Sequence, residues 1–142
     1  PYDAVFEQII AGLIQRYSPE VANRYPRYDH STPNRLRIYL DRIKGTHYEI
    51  CFRQNYYEFA LHFESSPSIS LERRKVFDPH INQISSQVGE RIKSGPLENK
   101  GWMRVWYERQ REQIDQEKIN LYIDRFSRFI AATFPILVNM FD

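Results

Sequence analysis

Apolar residues recur at three- and four-residue spacing along the first segment of the chain, at Phe6, Ile9, Ile10, Leu13, Ile14 and Tyr17. That period marks one stripe of an amphipathic helix, with Asp3 placed to cap its start. Ser18-Pro19 closes it, and the same pair can open a short helical turn through Asn23. Residues 24–34 hold Pro26 and Pro33 among polar neighbours and read as a loop.

The period then changes to two. Leu36, Ile38 and Leu40 alternate with Arg35, Arg37, Tyr39 and Asp41. Tyr48, Ile50 and Phe52 alternate with His47, Glu49, Cys51 and Arg53. Tyr57, Phe59, Leu61 and Phe63 alternate with Tyr56, Glu58, Ala60, His62 and Glu64. Each strand has one apolar and one polar face, the pattern of an antiparallel meander packed on one side and solvated on the other. A one-residue slip would send a strand's apolar set to the wrong side, so the register is predictable. A two-residue turn at Gln54-Asn55 sets Phe52 opposite Tyr57, Ile50 opposite Phe59 and Tyr48 opposite Leu61, which also brings His47 opposite His62. In the first hairpin an odd loop keeps the faces together. Lys44-Gly45-Thr46 would pair Leu40 with Ile50 and Ile38 with Phe52, and would set Asp41 opposite Glu49.

A helical stretch follows from about Ser70 to Val88, with Phe77, Ile81, Ile84 and Val88 on one stripe and Gly89 as a left-handed cap. Pro79 either kinks it or starts a second helix capped by Asp78. Residues 90–109 read as two short strands around a loop, the second from Trp102 to Glu108 with bulky side chains on both faces. A long helix runs from about Gln110, where Pro135 bends or ends it. The predicted fold is a single α+β domain over residues 1–142. It has an antiparallel sheet, a three-stranded meander plus one or two further strands, packed on one face by N-terminal, middle and long C-terminal helices.

Charge narrows the function classes. Twenty basic residues against eighteen acidic ones exclude a polyanion binder that works by bulk charge. No apolar run approaches the roughly 18 residues of a membrane span, and no leader pattern opens the chain, so the expected compartment is cytoplasmic. The start at Pro1 fits either removal of an initiator methionine or a domain cut from a longer chain. Cys51 is the single cysteine and cannot form an internal disulfide. Set in a strand near carboxylates, it is expected to be a space-filler rather than a nucleophile.

The run from Tyr48 to Gly89, then Pro96-Leu97-Glu98, the GWMRVWYE strand from Gly101 to Glu108, and the spaced Phe126, Phe129 and Phe134-Pro135 together resemble a bacterial domain family of unknown function. That family is found alone or attached to restriction-endonuclease-like proteins, and the likeness covers about residues 36–137. It implies an α+β accessory domain, in genome defence, and brings no catalytic residues. A restriction-type nuclease core would need a lysine two residues after its second acidic ligand. Neither Glu49 nor Glu58 has one.

Two chemical readings remain. His47 and His62 across one turn, with Glu49 and Asp41 one strand over and Glu64 adjacent, could hold a metal ion in a hydrolase or nuclease-like site. The competing description is a solvated sheet face that happens to carry histidines, and no cofactor is expected. Arginine usage is more informative. Fifteen arginines against five lysines favour planar, bidentate contacts. Seven basic and three acidic residues lie between Arg16 and Lys44, with Tyr25, Tyr28 and Tyr39 interleaved. The expected function is therefore a non-enzymatic binding domain whose surface is Arg24, Tyr25, Arg27, Tyr28, Arg35, Arg37, Tyr39, Arg53 and Tyr56. The expected partner is another protein or a second copy of the chain across the sheet face, with nucleic acid as the other candidate and no membrane.

Overall fold

The alternation at residues 35–63 builds the centre of the molecule. The computed structural model describes residues 1–98 and 100–141. The elements run α1 (Asp3–Ile14), α2 (Pro19–Ala22), β1 (Arg27–Asp29), β2 (Arg35–Tyr39), β3 (Thr46–Phe52), β4 (Tyr56–Phe63), α3 (Pro67–Phe77), a 3₁₀ turn (Asp78–His80), α4 (Ile81–Val88), β5 (Lys93–Leu97), β6 (Trp102–Gln110) and α5 (Gln116–Asn139). The strands form one antiparallel sheet in the order β1-β2-β3-β4-β6-β5. The expected α+β class holds.

All four longer helices pack on the apolar face. Phe59 stacks on Phe126 of α5 at 5.1 Å, Phe52 on Phe6 of α1 at 5.8 Å, and Phe63 meets Phe77 of α3 at 5.6 Å. Ile84 and Val88 bring α4 into the same core. Within it the Tyr48 hydroxyl is 2.7 Å from Thr133 Oγ1, which in turn donates to the Phe129 carbonyl at 2.8 Å. These two hydroxyls are thus satisfied at little cost to the apolar packing. Gly12 sets the closeness of α1 to α5, since a Cβ there would lie 2.5 Å from the Ile123 side chain.

The hairpin of β3 and β4 has the expected register, with Phe52 opposite Tyr57, Ile50 opposite Phe59 and His47 opposite His62. In the first hairpin the parity is as expected but the pairing is not. Leu36 faces Ile50, Ile38 faces Tyr48, and Arg37 rather than Asp41 faces Glu49. The connection is longer than three residues because Asp41 and Ile43 bond back to Arg24 and Leu40 instead of continuing the ladder.

Other differences have local causes. The expected loop over 24–34 contains β1, in which Arg27, Tyr28 and Asp29 pair with Tyr39, Ile38 and Arg37 between the two prolines. Asp3 is the first residue of α1 and makes no cap, whereas Ser18 caps α2 as expected. The middle helix begins earlier than Ser70, with Pro67 in its first turn and Ser66 accepting from the Ile69 amide. Around Pro79 the chain makes a 3₁₀ turn, and Gly89 closes α4 in the left-handed region at φ 77°. The last helix starts later than Gln110, where the Asp115 side chain accepts from the Lys118 amide, and it runs through Pro135 to Asn139.

His30 follows β1 in the chain. It bonds Glu7 at 2.8 Å and Asp3 at 3.1 Å, tying the end of β1 to α1. The Glu7 hydrogen bond, opposed by burial and helped by Asp3, raises its pKa above the ordinary 6.5. A raised imidazole contributes stability that is fully present below its unfolded value and is lost as pH climbs through the folded one. The urea midpoint should therefore fall between pH 6 and pH 8.5, and His30→Gln should flatten that part of the slope. Gly12→Ala should lower stability by about 1–3 kcal/mol in the same assay, because the added methyl must displace Ile123.

Candidate functional site

The polar face of the sheet is not covered by any helix among the described residues, yet its centre is dry. Glu49, Glu58, Cys51 and Ala60 are each at most 1% exposed, and His62 and His47 only 2% and 5%. The expectation of a solvated face is corrected here. The cover comes from the face itself, where long flanking side chains fold over short central ones.

Two buried carboxylates organise that cover. Glu49 on β3 accepts from Arg37 Nε at 3.1 Å on β2, with Arg35 at 3.9 Å. Glu58 on β4 accepts from Arg53 at 3.3 Å and from Arg104 on β6 at 3.0 Å. The Arg104 guanidinium lies 3.8 Å from the centre of the Trp106 ring, a cation–π stack. Asn34 completes the layer by donating to Cys51 Sγ at 3.7 Å. Charged groups this far from water persist only when paired, and each glutamate here meets two guanidinium groups.

The histidines form a second cluster beside Glu49. His47 Nε2 is 3.3 Å from Glu49 Oε1, and His62 Nδ1 is 3.0 Å from Glu64 Oε2. Burial pushes the Glu49 carboxyl up, but the His47 hydrogen bond and the charges of His62, His47 and Arg35 outweigh it and hold it at about 2. Burial opposes a lowering at Glu64 in the same way, and the His62 hydrogen bond prevails. A cavity of about 390 Å³ opens beside this cluster, bordered by Tyr39, Ile43, Thr46, His47 and Glu64. Cys51 has its thiol pushed up to about 11, chiefly by burial, so no thiolate nucleophile forms there.

The predicted binding residues divide between three places. Register and contacts put Arg27, Arg35, Arg37, Tyr39, Arg53 and Tyr56 on the helix-free face. Tyr28 turns to the other side and bonds the Tyr17 hydroxyl at 2.8 Å. Tyr25 stands exposed in the turn before β1, and Arg24 borders a cavity of about 620 Å³ against Phe134 and Val138 of α5. Of the metal candidates, His47 and His62 come together, and Glu49 lies 3.3 Å and 3.8 Å from them but groups instead with Cys51 and Glu58. Asp41 does not join them, being exposed in the β2–β3 connection, and Glu64 takes its place.

Arg104, Trp106 and Glu58 were missed as partners. The signal was present in the alternation of Trp102, Arg104 and Trp106 with Met103, Val105 and Tyr107. Register pairs Arg104 with His62 and Trp106 with Ala60, so one of the two bulky faces of β6 extends the polar sheet surface.

No family model matches the chain, and no curated protein matches it. Among solved structures it is similar to YbjN from E. coli, with 14% identity, a TM-score of 0.44 and coverage of 92% of this chain and 91% of that one. A likeness of that degree carries no inference about site or activity. No helix among the described residues is long and apolar enough to cross a membrane.

Glu58→Ala should cost about 2–3 kcal/mol by chemical denaturation, since it strands two arginines over a dry patch. Arg53→Ala should cost less, because Arg104 remains on the carboxylate.

Proposed function

We propose that the chain is a non-enzymatic binding domain that presents the helix-free face of its sheet to another protein. The supporting observation is the make-up of that face: Tyr39, Tyr56, Trp106 and a ring of arginines surround a centre that is already dry. Tyrosine, tryptophan and arginine are the side chains on which interface energy concentrates. The arginines are held in place by Glu49 and Glu58 before any partner arrives, which reduces the side-chain entropy lost on association.

The same glutamates weigh against nucleic acid. Each pair of guanidinium groups is half offset by its carboxylate, and Asp29, Glu64 and Glu108 supply further negative charge on this face. A phosphate backbone needs net cationic surface. The resemblance of residues 36–137 to accessory domains of restriction-like proteins suggests a partner within such a system.

Photo-crosslinking from position 39 or 106 in cells tests the reading, with position 121 on α5 as control. The expected result is a defined protein adduct from the sheet positions and none from the helix. Trp106→Ala should then weaken binding of that partner by roughly 30-fold. Adducts with nucleic acid alone, or affinity for an oligonucleotide that drops steeply with salt, would overturn the protein reading in favour of phosphate contact.

A further inference from the structure

The binding reading makes no use of the paired histidines, and their geometry points to separate chemistry. We propose that His47, His62 and Glu64 form a site for a divalent transition metal of the zinc class, which staples β3 to β4. One ligand atom from each of the three lies within 4.8 Å of the other two, and Glu49 stands beside them. His47 Nε2 lies 3.3 Å from Glu49 Oε1 and 3.8 Å from Glu64 Oε2. His62 Nδ1 lies 3.0 Å from Glu64 Oε2 and 3.8 Å from Glu49 Oε1. Zinc bonds of about 2.0–2.2 Å give tetrahedral edges of roughly 3.3–3.6 Å. The two histidine–Glu64 separations straddle that edge, so side-chain adjustments of a few tenths of an ångström bring both to it.

Three further features support a metal. The spacing is imposed by the backbone, because His47 and His62 are a directly opposed pair in the β3–β4 ladder. The charge suits a cation, since the Glu64 carboxylate and the neighbouring Glu49 carboxylate together match a dication. Arg37 Nε, at 3.1 Å from Glu49 Oε1, holds this second carboxylate beside the histidines. Two imidazole nitrogens and a carboxylate oxygen suit zinc and its neighbours in the first transition row, rather than calcium or magnesium.

The site differs from the hydrolase alternative raised by the sequence. Asp41 and Glu49 are not in its donor set, and its three protein donors come from β3 and the end of β4, so the ion ties the two strands together with water in the fourth position. The cavity beside His47 and Glu64 gives the ion a path to donors that are otherwise buried. Because bound metal requires neutral imidazoles, uptake must displace any protons they carry, and affinity must fall as pH is lowered.

Chelator-treated full-length protein titrated with Co²⁺ tests the site without reference to any partner. The expected result is one equivalent bound with the visible spectrum of a four-coordinate nitrogen–oxygen site. Zn²⁺ should displace the cobalt and raise the melting temperature. His62→Gln should weaken uptake by more than about 100-fold, whereas His30→Gln, which alters the imidazole–carboxylate cluster at Asp3 and Glu7, should leave it unchanged. No uptake at micromolar metal, an octahedral cobalt spectrum, or uptake that survives in the double variant H47Q/H62Q would overturn the proposal. Should the histidine variants fail to fold, the spectrum of the unaltered protein decides between these outcomes.

Discussion

Two carboxylates without solvent allow this sheet to exist with one face bare of helices. A sheet of six strands usually needs a second layer wherever its side chains are short, and Cys51 and Ala60 at the centre are short. Here arginines from β2, β6 and the β3–β4 turn lean inward, drawn by Glu49 and Glu58, and their aliphatic stems supply the missing layer. Each guanidinium group keeps one side toward water while its carboxylate partner has none. The face is therefore ordered by ion pairs and covered by hydrocarbon at once, and the same side chains that exclude water are the ones available to a partner.

This arrangement explains why the two readings of the polar face do not compete. The histidine cluster occupies the β3–β4 end near the cavity, with Glu49 shared between it and Arg37. The aromatic and arginine surface extends around it from Tyr39 to Trp106. A cation at the first would rigidify the strands that display the second, without occupying its surface.

Much of this was legible in the chain. The period of two between residues 35 and 63 identified both faces, and the short turn at Gln54-Asn55 was enough to place His47 against His62. What alternation does not report is how wet a polar face will be. Glu58 looks like any exposed strand glutamate until Arg104, far along the chain, is seen to pair beside it. Asp41 was misplaced because a hairpin loop of the right parity can have several lengths, and backbone bonds to Arg24 and Leu40 chose the longer one. Tyr28 lies beyond short-range rules for a similar reason. Its strand is three residues long between prolines and acquires its facing only by pairing with β2. Pro135 shows the converse, since packing of α5 along the core carries the helix past a residue that local preference would make its end.

The outermost strands also constrain how such molecules can gather. β1 has three residues and follows Pro26, and β5 contains Pro96, which has no amide hydrogen to offer a newcomer. Neither margin is a good template for ladder extension, so runaway fibre growth by edge recruitment is disfavoured at both sides.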